Sequence, residues 1–386
     1  MVFLQSVIDD RMSDSTNVDF LDLMQDVVDS ATIAVVYSGD PEQENTVLRR
    51  TFNYRAWASY SDVSDDIALA LRRLGYQRVS LHAEGTNLLN QMRDTSTDFA
   101  WLNTGGTQGY DSMAHAAALM ESMGIPYVGH RPLTYLITDS KPDAKDKMQS
   151  WGIPTPKSSF FGSRGKPDAH ALQHLRPPFV VKPQNGSMSR NVRYAEDVKE
   201  ALAAILEVRS SCGLGVLVEE FIGGTEITVA ALGTFHKQDG VWSEHDDPLV
   251  LPILRRIGNH GKIFPSIQSI NVRESTELYR GQYGDDVYRI AQLVYHAFRC
   301  RTAVRIDMIL DETGTPYVID INPKPDLKAP SETGDSFVNV AASAIGLDYD
   351  NLIKTILYDR LYHVLLDESP RWKEPLPWRV LKSLSS

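Results

Sequence analysis

The chain has 386 residues, of which 42% are apolar and 23% charged, and its formal net charge is −11. Hydrophobic cores stop growing near about 250 to 300 residues, so two or three lobes are expected. No run approaches the roughly 18 apolar residues of a membrane span, and the acidic balance opposes a phosphate backbone, so neither membrane nor nucleic acid is expected as a partner. Cys212 and Cys300 are the only cysteines. They exclude a disulfide framework or a four-cysteine zinc site and fit a reducing compartment, so the expected location is cytoplasmic.

Residues 1–30 are acidic and lack the basic start and apolar run of a signal peptide, so they read as an extension, partly helical from Asp19. Residues 32–37 form an apolar strand closed by Ser38-Gly39-Asp40-Pro41. Residues 61–74 carry Val63, Ile67, Leu71 and Leu74 at helical spacing, and a strand follows at 78–81. Strand, helix and strand are then expected at 98–103, 111–123 and 125–129. This alternation favours a parallel sheet with crossovers. Beyond Arg131 come a helix at 141–150 stopping at Gly152, a strand at 179–182, a polar loop through Ser189 and a helix at 195–207. Strands at 216–222, 227–232, 250–254, 304–310 and 317–321 suggest an antiparallel sheet, with helices at 285–298 and 351–366 on one side.

The segments 304–310 and 316–322 flank Asp311-Glu312-Thr313-Gly314-Thr315, a turn-forming stretch that predicts a hairpin. With a loop at 312–315, Asp307 faces Asp320 and Arg305 faces Asn322, and strand alternation puts all four on one face. Carboxylates opposed at roughly 5 Å repel, so an apolar hairpin that keeps them calls for a cation. Magnesium is the natural candidate, because it takes hard oxygen ligands and completes its shell with water and phosphate oxygens. A solvated strand face with Asp and Arg paired as surface ions is the competing reading.

Lys182 ends an apolar strand before a loop whose backbone amides at Gly186, with the Ser187 and Ser189 hydroxyls, could close over phosphates. An ordinary strand and glycine turn would look the same. In Val216-Leu217-Val218-Glu219-Glu220-Phe221-Ile222-Gly223-Gly224-Thr225-Glu226, acids at a strand end could accept from an adenine amine or ribose hydroxyls. An edge strand turning at the glycines is the alternative. His245-Asp246-Asp247 reads as a polar loop rather than a metal cluster, and residues 372–378 as a tail packed on the body.

Taken in order, Gly124-Ile125-Pro126-Tyr127-Val128-Gly129, Lys141 with Gly152-Ile153-Pro154, Val181-Lys182-Pro183, Glu219 to Glu226, Arg305-Ile306-Asp307, and Asp320-Ile321-Asn322 with Ser331 resemble the ATP-grasp superfamily. The likeness is strongest to its D-alanine:D-alanine ligase-like branch and covers residues 103–353. It implies an α/β chain, α+β in the ATP-grasp lobes. After the extension would come a Rossmann-like parallel-sheet lobe on the substrate side (31–130), a central ATP-grasp lobe (131–217) and a carboxy-terminal ATP-grasp lobe (218–386) with the metal and substrate site. By that resemblance Lys141 and Lys182 bind phosphates, Glu219 with the backbone of Glu220 and Ile222 clamps adenine, and Glu226 holds the ribose. Asp307, Asp320 and Asn322 would carry two Mg2+ ions, with Mn2+ as an alternative. Arg305 would steady the transferred phosphate and the oxyanion, Ser331 would hold a substrate carboxylate, and Lys262 would belong to a loop closing over ATP. The implied activity is an ATP-dependent carboxylate-amine ligation of amino-acid-like substrates, in a homodimer.

The chain departs from that branch at several places. Asp320 stands where glutamate is usual, and Pro323-Lys324-Pro325-Asp326-Leu327 has Asp326 where a glycine amide serves the oxyanion. Arg190-Asn191 replaces an expected glycine. Asn103-Thr104-Gly105-Gly106-Thr107-Gln108-Gly109 replaces the His-Gly and Gly-Glu-Asp-Gly segments that bind the first D-alanine. The expectation is retained ATP chemistry with different substrates. The alternatives are a true D-alanine:D-alanine ligase and a non-catalytic ATP-binding regulator.

Overall fold

The structure is a computed structural model, and it describes residue 24 and residues 27–38, 57–186, 189–257, 272–331 and 334–364. Most of the extension, Ser187, Lys262 and the stretch 372–378 lie outside the described residues. Among the described residues no helix is long and apolar enough to cross a membrane.

The first lobe is the expected parallel sheet. Its strands β1 (Thr32–Ser38), β2 (Arg78–Glu84), β3 (Phe99–Asn103) and β4 (Tyr127–Val128) lie in the order β2-β1-β3-β4. Ile33 to Val36 of β1 are fully covered, as a parallel strand flanked on both faces requires. Helix α1 (Trp57–Arg73) buries Val63, Ile67 and Leu71, one turn apart, against this sheet. A short helix α2 (Leu88–Asp94) follows β2. The helix expected at 111–123 opens with a 3-10 turn at Ser112–Ala114 before α3 (His115–Met123).

Two helices then lead into the second lobe. α4 (Pro132–Asp139), which periodicity does not suggest, starts with Pro132 at its first position after an extended Arg131. α5 (Lys141–Ser150) has the expected bounds. The strands β5 (Ser158–Phe161), β6 (Phe179–Pro183), β7 (Arg193–Ala195) and β8 (Val216–Glu220) form an antiparallel sheet in the order β5-β8-β6-β7. Against it packs α6 (Val198–Cys212), which begins three residues later than expected because Asp197 caps it, accepting from the Glu200 amide at 2.8 Å.

The third lobe carries β9 (Thr225–Ala231), a β10 (Phe235–Gln238) and β11 (Val241–Glu244) hairpin, β12 (Leu254–Arg256), β13 (Thr276–Leu278), β14 (Val304–Leu310) and β15 (Pro316–Asn322). The main sheet runs β13-β12-β9-β14-β15. After the short α7 (Val272–Ser275), α8 (Gly284–Ala297) lays Val287, Ile290, Ala291 and Val294 on Ile227, Val229, Ile306 and Met308. The opposite face of β14 and β15 stays open. α9 (Phe337–Ser343) and α10 (Tyr349–Tyr362) close the chain, and α10 shares one core with α1 and the parallel sheet. The fully buried Arg360 fastens this join by donating to the Tyr127 carbonyl at 3.0 Å.

Two expectations need correction. The strands expected in one antiparallel sheet fall in two, since β8 pairs with β5 and β6 and not with β9, and the β10–β11 hairpin is a separate two-stranded sheet. The run 250–254 is not a strand: Val250 makes an isolated bridge to Ala231, and pairing resumes only at Leu254.

Candidate active site

The two antiparallel sheets face each other across a cavity of about 300 Å³. One wall is β6 and β8 with the loop after β6, and the other is the open face of β9, β14 and β15. Lys141, Lys182, Gly186, Ser189, Glu219, Glu220, Ile222, Glu226, Arg305, Asp307, Asp320 and Asn322 all line it. Residues 180 or so positions apart are thus brought together by topology. The turn between β8 and β9 needs glycine: a Cβ on Gly224 would lie 2.2 Å from the Leu310 carbonyl oxygen.

On the hairpin, Arg305 faces Asn322 and Asp307 faces Asp320, as expected, but by a different route. Leu310 pairs with Pro316, so the loop has five residues, and a bulge next to the 307/308 position restores the register by leaving Ile319 unmatched. The bulge turns Ile319 and Asp320 to the cavity together. Asp307 accepts from Arg305 Nε at 3.0 Å and a terminal nitrogen at 2.9 Å, from Thr228 Oγ1 at 2.9 Å and from Asn322 Nδ2 at 3.2 Å. Burial alone would lower the Arg305 pKa, but Asp307 outweighs it and raises it. Lys141 reaches toward the second carboxylate, 3.6 Å from Asp320, and also donates to the Gly186 carbonyl at 3.1 Å.

Among the described residues no three His, Cys, Asp or Glu side chains converge as a metal group by themselves. Two facing carboxylates and the Asn322 carboxamide are nevertheless the hard oxygen set that suits magnesium sharing its shell with phosphate oxygens and water. The cations now resting on those carboxylates, Arg305 and Lys141, point the same way: the hairpin is built to be neutralised.

At the other end, Glu219 is buried between two lysines, 2.7 Å from Lys145 Nζ and 2.8 Å from Lys182 Nζ. Burial pushes its pKa up, but the two ammonium groups prevail and hold it below the usual carboxylate range. Burial pulls Lys145 down to about 8 despite the Glu219 charge. Sequence reading missed Lys145, which lies among other polar residues of α5, and it also missed Arg256. Arg256 lines the cavity and pairs with Glu226 at 3.0 Å. Burial raises the Glu226 pKa, and Arg256 offsets part of that rise. The Glu220 carboxyl accepts from the Arg176 amide at 2.9 Å.

Asp326 and Ser331 are not among the cavity-lining residues. Asp326 is exposed and accepts from the Lys328 amide at 3.1 Å, although its charge still bears on Arg305. Ser331 is also exposed and donates to the Gly334 carbonyl at 3.0 Å.

Below the hairpin, the carboxy-terminal ends of β1, β2 and β3 meet. Ser38 and Thr104 hydroxyls lie 3.1 Å apart, the Gly105 amide donates to Ser38 at 3.1 Å, and Thr104 donates to the buried Glu84. Burial lifts the Glu84 pKa to about 7 against its hydroxyl donors. Lys324, two residues past Asn322, donates to Asn103 at 3.3 Å over the Tyr60 ring.

A parallel-sheet lobe followed by two antiparallel lobes gripping a cavity of lysines and carboxylates is the ATP-grasp arrangement, and the protein is an ATP-dependent C–N ligase. The family model described as D-ala D-ala ligase C-terminus matches residues 148–358, and the chain belongs to that family of carboxylate-amine ligases. It is 28% identical over 345 residues to a D-alanine--D-alanine ligase of Marinomonas sp., covering 86% of this chain and 96% of that protein. The fold is shared with the Bacillus anthracis D-alanine--D-alanine ligase complexed with ATP (TM-score 0.63, 23% identity, 88% of this chain and 99% of that one). It is also shared with the VanG D-Ala:D-Ser ligase of Enterococcus faecalis (TM-score 0.62, 19% identity, 86% and 99%).

Proposed function

We propose that this ligase joins two amino-acid-like substrates through an acyl phosphate, with ADP and phosphate as co-products. In this reading ATP lies along the cavity. Adenine sits at Glu219 and the Glu220–Ile222 backbone, the ribose at Glu226, and the phosphates at Lys141, Lys182 and the loop carrying Gly186, Ser187 and Ser189. The resemblance assigns Lys262 to the same phosphates. Asp307, Asp320 and Asn322 would hold two magnesium ions, which supply positive charge to the phosphate oxygens. The observation that carries the reading is that one cavity is lined by Lys141 and Lys182 together with Arg305 and the facing carboxylates Asp307 and Asp320.

An oxygen of the first substrate's carboxylate attacks the γ-phosphorus, and ADP leaves. The enzyme's part is to align the reactants and offset charge, which is the main demand of phosphoryl transfer. The second substrate's amine then attacks the acyl carbon, phosphate departs with the oxygen that bridged it, and the amine proton is released. Arg305 and the backbone amide of Asp326 stabilise the tetrahedral oxyanion, and Ser331 holds the second substrate's carboxylate.

The substrates are proposed to differ from D-alanine at least in the first position, because Asn103 to Gly106, joined through Asn103 to Lys324, stand where the resembling ligases carry the segments that bind the first D-alanine. Incubating the protein with ATP, Mg2+ and pools of L- and D-amino acids, with phosphate release and product mass as readouts, tests this. Phosphate and a condensed product are expected from a mixed pool. ADP formed without regard to the pool would sink the proposal, and product from D-alanine alone would restore the narrower ligase reading.

A further inference from the structure

Lys145 does not line the cavity, yet it is one of the largest fully buried side chains of the protein. A lysine is almost never sealed off without a purpose, because desolvating its charge is costly unless it is paired. Its ammonium touches Glu219 at 2.7 Å and the Thr155 hydroxyl at 2.6 Å. That hydroxyl donates in turn to the Val318 carbonyl at 2.8 Å. On the other side of Glu219, Lys182 donates to the next carbonyl, Ile319, at 3.1 Å. Val318 and Ile319 are the residues of the bulge that turns Asp320 into the cavity. Two relays thus start at the same carboxylate and end on neighbouring carbonyls of the metal-bearing strand.

We propose that Lys145 is a positioning residue that fixes Glu219 as a charged acceptor for the exocyclic amine of a 6-aminopurine and ties it, through Thr155, to the strand carrying Asp320. This rests on the nucleotide placement proposed above. Each carboxylate oxygen of Glu219 takes one lysine and keeps a lone pair for a further donor. The 6-amine of adenine supplies that donor. A 6-oxo purine presents an acceptor at the same position and is rejected by the charge. Without Lys145, a single cation remains to keep a buried carboxylate ionised, and its rejection of the oxo group weakens.

The test compares ATP with inosine triphosphate in phosphate release by the full chain. Wild type is expected to favour ATP strongly. Lys145→Met should raise KM for ATP more than it lowers kcat and cut the preference for ATP about tenfold, the scale of one charge-assisted hydrogen bond. Thr155→Val should cut it less, about threefold, and the double variant should fall short of the product of the two effects, as residues in one network do. A purely structural lysine would change stability without moving the ratio. An unchanged ratio in folded Lys145→Met overturns the proposal. If that variant does not fold, an unchanged ratio in Thr155→Val does so instead. A wild type that uses both nucleotides equally would overturn the adenine placement itself, which is a separate failure.

Discussion

The cavity between the antiparallel sheets and the carboxy-terminal edge of the parallel sheet are built on different principles. In the cavity, acids are paired with cations: Glu219 with Lys145 and Lys182, Asp307 with Arg305, Glu226 with Arg256. At the parallel edge, one buried carboxyl, Glu84, is met by Thr104, with Thr107 donating to the Glu84 backbone carbonyl. The first arrangement suits a highly charged ligand, and the second suits small polar groups. The family match spans 148–358 and contains most of the cavity but none of the parallel sheet. Reaction class is therefore proposed to reside in one half of the molecule, and the choice of substrate in the other.

The largest effect is expected in the cavity. Asp307→Asn keeps shape but leaves Arg305 without its carboxylate, and ATP-dependent phosphate release should fall at least about a thousandfold, as when a principal electrostatic group is lost. Activity within tenfold of wild type would place the chemistry elsewhere.

Glu84 gives the next effect, in stability rather than turnover. Its pKa is lifted by burial from 4.5 to about 7, so between those pH values the native state holds a proton that the unfolded chain has released. That contribution is complete below pH 4.5 and is lost as pH rises through about 7, an order of magnitude of about 3 kcal/mol. Glu84→Gln does not titrate. Its melting temperature should therefore gain on wild type between pH 5 and pH 8, whereas a difference that is flat with pH would remove the distinction between the two regions.

The smallest effect sharpens the comparison most. Thr104 donates to Glu84 and accepts from the Gly106 amide at 3.0 Å, which shapes the turn after β3. Thr104→Val should raise KM for the carboxylate substrate by about tenfold, the loss of roughly one hydrogen bond, and leave KM for ATP unchanged. A rise in KM for ATP of the same size would show that the two ends are not separable.

Much of this was legible in the sequence where the signal is local. The apolar runs of β1, β6 and β14, the bounds of α5 and the facing of Asp307 with Asp320 all follow from periodicity and turn chemistry. The last was reached through compensating errors. A four-residue loop without a bulge and a five-residue loop with one give the same pairing at 307 and 320, but they differ between Met308 and Leu310, whose partners shift by one residue, and at Ile319, which is left unmatched. The bulge is held from another lobe by Thr155 and Lys182, a long-range cause that no strand pattern carries. Sheet partners were hidden for the same reason, since β8 reads alike whichever sheet it joins. Lys145 was hidden because the segment Lys-Pro-Asp-Ala-Lys-Asp-Lys looks like a solvated helix start, and only burial separates its middle lysine from its neighbours.

The most direct test of the account follows one oxygen atom. When the first substrate carries 18O in its carboxylate, attack on the γ-phosphorus and later loss of phosphate should leave one 18O in the released phosphate, with ADP as the nucleotide product. Unlabelled phosphate, or AMP with pyrophosphate, would contradict it.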